Sequence, residues 1–167
     1  TGTKITISPL TRNHPPLGFS ALLNSLGYFY SPAIKNRGVN IQLRVKGETF
    51  LVEPHKWPSF EDGFRVEKTI SIHGKSAYLA FGIVQDPTKN TRPGITYSHA
   101  SRVIIPASSK GCGNYSIASV CGFVELGSEW ALDKNKQGIA RDSDELFEAV
   151  FAEVEPILKV AQGRFEK

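Results

Sequence analysis

Only two cysteines, Cys112 and Cys121, occur in the 167 residues. A disulfide framework therefore does not hold this chain together, and a reduced, cytoplasmic setting is the expectation. Long apolar runs are missing too: nothing approaches the roughly 18–20 residues of a membrane span, so no membrane partner is expected. The opening TGTKITISPL lacks the apolar region and small-residue cleavage site of a signal peptide. Metal-ligand spacing is also absent. His14, His55, His73 and His99 are scattered, the two cysteines lie nine positions apart, and no CxxC, HxH or HExxH occurs.

Catalytic motifs fare no better. Gly74-Lys75-Ser76 matches the end of a phosphate loop, but the position five before Gly74 is Thr69 rather than Gly. It also falls between strand-like runs, where that motif must open a helix. No Asp-x-Lys or Glu-x-Lys occurs: in VEK, Glu67 adjoins Lys68, and neighbours on a strand point to opposite faces. Metal-dependent cleavage of the common restriction type is thus not expected, and nothing in the sequence implies a cofactor.

What is present describes one domain spanning residues 1–167. Hydrophobic residues make up 40% and charged residues 22%, ordinary values for a globular chain long enough to bury a core. The net charge of +4 is unevenly distributed. Residues 1–120 hold 14 Lys and Arg against 6 Asp and Glu, a surplus of +8; residues 121–167 hold 6 against 10, a deficit of −4. A basic body with an acidic C-terminal segment suits a face for a polyanion, with the acidic helix on another side.

The middle third, Gly38 to Gln85, carries four alternating runs: NIQLRV, ETFLVE, FRVEKTISI and SAYLAFGIV. Alternation puts every second side chain on one face, so these predict a mostly antiparallel sheet. Tight turns are predicted at Val45-Lys46-Gly47-Glu48 and Ile72-His73-Gly74-Lys75. Pro54 and Pro58 make EPHKWPSFEDG a loop. Residues 3–8 and RVIIP read as short strands. YSIASVCGFVELG reads as a buried strand pair or one long bent strand, with Gly122 at a bulge or bend.

Two helices flank the sheet. Phe19, Leu22, Leu23, Leu26 and Phe29 mark an amphipathic helix that Ser20 could cap and Ser31-Pro32 should end; KNRG is then a turn, with Asn36 and Gly38 suited to positive φ. At the other end Phe147, Val150, Phe151, Val154, Leu158 and Ala161 mark a long helix. Asp142 and Glu145 form its capping box, and Pro156 should kink or restart it. The predicted class is α+β: a mostly antiparallel sheet with the N-terminal helix and the long C-terminal helix packed on one face.

The functional lead is aromatic side chains interleaved with basic ones. Trp57 sits in HKWPSF beside Lys56; Tyr28, Phe29 and Tyr30 precede Lys35 and Arg37; Tyr97 and His99 follow Lys89 and Arg92. Phosphates want Lys and Arg, whereas an unstacked base wants an aromatic plane and hydrogen bonds to its edge. Lys35, Arg37, Lys56, Lys89 and Arg92 are accordingly the candidate phosphate contacts, and Trp57 and Tyr97 the candidate aromatic ones. Two alternatives stand beside this reading. Cys112, between two glycines, can serve a thiol-dependent hydrolase or transferase with His99 or His73 as base, and a sheet edge can serve a protein-interaction domain.

Three segments, NIQLRVKGETFLVEPHKWPSF, SAYLAFGIVQDPTKN and KQGIARDSDELFEAVFAEVEPILK, carry a resemblance in order and length to the N-terminal DNA-binding domain of McrB-type, modification-dependent restriction proteins. The chain departs from that family where Lys56-Trp57 replaces a Pro-Trp pair and FRVEKTISI replaces a Tyr-rich strand. The resemblance implies recognition of methylated cytosine in duplex DNA by flipping the base into an aromatic-walled pocket, with Trp57 as one wall. It also implies that cleavage or motor activity belongs to further domains or subunits.

Overall fold

The computed structural model describes residues 18–45, 47–87 and 91–165; the strand expected at residues 3–8 lies outside them. In chain order the elements are α1 (Phe19–Phe29), α2 (Ser31–Arg37), β1 (Gln42–Val45), β2 (Glu48–Leu51), β3 (Phe60–Ile72), β4 (Lys75–Val84), β5 (Gly94–His99), β6 (Arg102–Ser108), β7 (Val120–Leu126) and α3 (Ser143–Phe165).

The main sheet has five strands in the order β3-β4-β7-β5-β6. Every pairing is antiparallel except β5 with β7, which run parallel. The α+β class and the largely antiparallel sheet are as the alternating runs predict. The turn at His73-Gly74 is present: Ile72 pairs with Lys75, and both turn residues take positive φ, as a two-residue hairpin requires. Val45 likewise pairs with Glu48. That hairpin, however, forms a separate two-stranded sheet and does not extend the main one. Alternation fixes which side chains share a face, but not which strand lies alongside.

One face of the sheet is closed by α3. Leu79, Phe81, Ile83, Ile95, Tyr97 and Val124 meet Leu146, Val150, Val154, Leu158 and Ala161 in one fully buried cluster. These helix positions recur at three- and four-residue steps, which is why the segment folds as an amphipathic helix. Ion pairs fasten its rim to β3: Lys68 to Glu153 at 2.8 Å, and Arg164 to both carboxylate oxygens of Glu61 at 2.9 and 2.8 Å. Helix α3 runs through Pro156 as one element. Pro156 and Ala152 both lie on its exposed side, so water can satisfy the carbonyl that loses its partner. Asp142, expected to cap α3, takes φ 58°, and its carboxylate accepts from Lys75 Nζ at 2.5 Å.

The N-terminal helix pair refines the predicted layout, because it serves the other face. Tyr28 of α1 bonds the hydroxyl of Thr96, whereas the next residue, Tyr97, packs its ring against Phe147 of α3. Neighbours on a strand point to opposite sides, so α1 and α3 bracket the sheet. Four local expectations are corrected here. Ser20 lies inside α1, whose N-cap is Gly18 with no side-chain cap. The KNR segment belongs to α2, with Pro32 in its first turn, where a proline is tolerated. Gly38 does take positive φ, at 62°, as the C-cap. The buried residues of α1 are Gly27 and Tyr28, while Leu22 and Phe29 of the predicted apolar stripe are exposed. Finally, Val120–Leu126 is a single strand, and Gly122 pairs regularly with Phe81 and Ile95 instead of bulging.

Candidate nucleic-acid interface

The segment between β2 and β3 has no regular structure, as its two prolines require. It is nonetheless firmly held. Val52 is buried and donates to Ile41 O at 2.9 Å; His55 N donates to Gly27 O at 3.0 Å; Ser31 Oγ donates to His55 O at 3.5 Å. Gly27 permits this approach, since a Cβ there would sit 2.2 Å from Glu53 O.

The loop delivers Trp57 onto the face opposite α3. The indole lies 5.2 Å from the ring of Phe123 on β7 and 5.0 Å from His55, which meets it edge-on at 88°. Tyr28 anchors the group from beneath. Its hydroxyl bonds Thr96 Oγ1 at 2.5 Å and accepts from Ala107 N at 3.1 Å. Its ring carries the Arg92 guanidinium 3.8 Å above the centroid, a cation–π contact that fixes an otherwise mobile side chain.

Trp57 lines a cavity of about 200 Å³, together with Phe123, Tyr78, Ser98 and Glu125 from the sheet and Ser31, Pro32, Lys35 and Asn36 from α2. The sheet register explains the set. Tyr78, Glu125 and Ser98 stand side by side across β4, β7 and β5, and Phe123 lies in the next row, between Ala80 and Thr96. Alternate residues of β7 thus serve two purposes: Val124 and Leu126 fill the α3 core, while Phe123 and Glu125 furnish the cavity. The Glu125 carboxylate makes no ion pair or hydrogen bond among the described residues. The result is a small space with aromatic planes, one free carboxylate and a lysine at the rim. Such a set can stack a flat ring and accept hydrogen bonds from its edge.

The candidate residues from the sequence divide as follows. Trp57 and Lys35 line this cavity; Lys56 and Arg92 line a second one, about 570 Å³. Arg37 is exposed in the last turn of α2. Lys89 lies outside the described residues. Tyr97 has to be withdrawn as a contact: it is fully buried on the α3 side, and its hydroxyl donates to Lys110 O at 2.8 Å. Burial holds its phenol far above the usual range. In β5 it is Thr96 and Ser98 that face the cavity side. Sequence reading passed over Phe123, Glu125, Ser98 and Tyr78. The alternation in VCGFVELG, with a phenylalanine and a glutamate out of phase with Val124 and Leu126, was the available signal.

For the thiol alternative, Cys112 is fully buried, and burial pushes its pKa up to about 11, which disfavours the thiolate near neutrality. The fold does gather His73, Asp142 and Glu145 with ligand atoms within 4.8 Å of one another. Lys75 already neutralises Asp142 there, holding its carboxyl below the ordinary value chiefly through their hydrogen bond. Among the described residues no helix is long and apolar enough to cross a membrane. No model of a known protein family matches this chain, and no curated protein matches it either.

Proposed function

We propose that this domain binds duplex DNA and reads a base, flipped out of the stack and in the family it resembles a methylated one, for a restriction or defence system. The observation that carries the reading is the 200 Å³ cavity walled by Trp57, Phe123 and Tyr78, with Glu125 and Ser98 beside them and Lys35 at the mouth. Flipped bases are held by stacking between aromatic side chains and hydrogen bonds to their edges. A carboxylate is the acceptor that suits an exocyclic amino group, and the basic surplus of residues 1–120 suits phosphates.

Fluorescence-anisotropy titration with short duplexes, plain and cytosine-methylated, at two salt concentrations tests it. The expected result is salt-sensitive binding, tighter for the methylated duplex, with that preference lost in Trp57→Ala. Binding without preference would leave a generic DNA-binding domain, and an affinity indifferent to salt would remove DNA altogether. Cys112→Ala should leave binding unchanged.

A further inference from the structure

Beside the aromatic cavity lies the larger one, about 570 Å³, between α1 and the Pro-bounded loop, lined by Asn24, Ser25, Glu53, His55, Lys56 and Arg92. Three features mark it as more than surface relief. Arg92 is pinned in place by its seat on Tyr28 and makes no ion pair among the described residues. His55 is fixed by backbone bonds on both sides of its Cα, to Gly27 and Ser31, and its ring is wedged edge-on against Tyr28 and Trp57. Its Nε2 is buried without a hydrogen-bond partner among the described residues, and a buried polar atom left unmet is costly.

We propose that this cavity is a phosphate-binding site whose occupation draws a proton from solvent onto His55. Arg92 and Lys56 supply standing positive charge, Asn24 and Ser25 neutral donors, and a protonated His55 ring a further positive charge behind them. Assigning the occupant as a phosphodiester next to an extruded base rests on the DNA reading above; the oxyanion chemistry itself does not.

The groups around the imidazole explain the coupling. Tyr28 faces it from α1, Lys35 from α2, Arg92 from the segment before β5, and Glu53 and Lys56 from its own loop. Burial first, then the charges of Arg92 and Lys35, depress the His55 pKa to about 4, so the empty site holds a neutral ring near pH 7. A dianionic or monoanionic phosphate between Arg92 and His55 reverses the sign of the local field and favours the imidazolium. Proton uptake and phosphate binding then strengthen each other, as linkage demands.

The test uses the whole chain and two probes, inorganic phosphate and a short unmodified duplex, with the imidazole carbon and nitrogen resonances of His55 as readout. At about pH 6 the ring should shift toward imidazolium positions as either probe saturates. Duplex affinity should tighten between high and low pH by about tenfold for each unit by which occupation raises the His55 pKa. Arg92→Gln should abolish the shift. Lys56→Gln, at an exposed position, should weaken it without threatening the fold, and His55→Gln should flatten the pH dependence. A shift with inorganic phosphate but not with duplex sustains the site and overturns the phosphodiester as its occupant. A ring that stays neutral with both probes saturating, or a shift unaltered in both Arg92→Gln and Lys56→Gln, overturns the proposal. None of these outcomes depends on methylation preference, so failure of base reading is separately visible.

Discussion

The two faces of the five-stranded sheet are built from alternate residues of the same strands, yet they are different kinds of surface. The face under α3 is apolar and closed: Leu79, Phe81, Val124, Leu146, Val150, Val154 and Leu158 are fully buried there. The opposite face is aromatic and polar, covered only partly by a helix pair and a loop, and it holds the cavities around Trp57 and His55. Among the described residues, the second face keeps His55 Nε2 without a hydrogen-bond partner and the Glu125 carboxylate without an ion pair, while the ring nitrogens of His99, which pairs with Leu126 on the α3 side, are likewise buried and unmet. Stability should therefore reside mainly in the first and recognition in the second.

That division can be broken most forcefully from the α3 side. Leu146→Ala and Leu158→Ala should each cost about 2–5 kcal/mol of folding free energy by urea titration, because a fully buried leucine leaves a cavity that its neighbours fill only in part. Neither should alter DNA affinity in the molecules that remain folded. Trp57→Ala should show the converse. Its stability cost should be nearer 1–2 kcal/mol, while binding should weaken by roughly the 1–3 kcal/mol that one stacked base contributes. Equal destabilisation by Trp57→Ala and Leu158→Ala would erase the distinction between the faces.

Gly27→Ala sharpens it at an intermediate scale. The added Cβ would meet Glu53 O at 2.2 Å, so the loop carrying His55 and Trp57 must move away from α1. The expected outcome is a stability loss of about 1–3 kcal/mol with binding lost well beyond it, because both cavities share that loop. Circular dichroism melts and anisotropy on the same samples separate the two effects.

One part of the pH response of the fold comes from the same face. His55 has its folded pKa depressed from 6.5 to about 4, so between those values the unfolded chain binds the proton and the folded one does not. Stability is then undiminished above about 6.5, falls as pH drops toward about 4, and levels off below that. His55→Gln should remove this part of the acid sensitivity in denaturation curves taken at successive pH values. A phosphate in the adjoining cavity should shrink it in the wild type, because the folded state would then share the proton.

How far these faces were legible in the sequence depended on how local their signals are. Helix α3 and the His73-Gly74 hairpin were readable because a 3.6-residue stripe and a Gly-bearing turn are complete within one segment. Strand β5 was not, since GITYSH is six residues between irregular stretches and pairs in parallel with β7, far along the chain. Trp57 stood out because its prolines announced a loop. Phe123, Glu125, Ser98 and Tyr78 did not, because their adjacency is a property of the register of β4, β7 and β5. Tyr97 was misplaced for a related reason: next to a basic loop it looks like a binding aromatic, and only the strand's parity sends it into the core.

The smallest effect concerns the charges at the rim. Lys35 and Arg37 stand in the last turn of α2, exposed, and α2 itself flanks the Trp57 cavity through Ser31, Pro32, Lys35 and Asn36. A lysine that only neutralises a phosphate adds affinity through counterion release, irrespective of sequence. Lys35→Gln and Arg37→Gln should therefore weaken plain and methylated duplexes alike, each lowering the slope of log affinity against log salt by about one. Folding stability should move by less than about 0.5 kcal/mol. Lys35 carries a further expectation, because it lies on the cavity and its charge also bears on His55. Removing it should raise the His55 pKa, an effect Arg37→Gln should lack. A change in methyl preference on Lys35→Gln, with the salt slope intact, would instead make it part of the cavity wall and move the boundary of the recognising face outward onto α2.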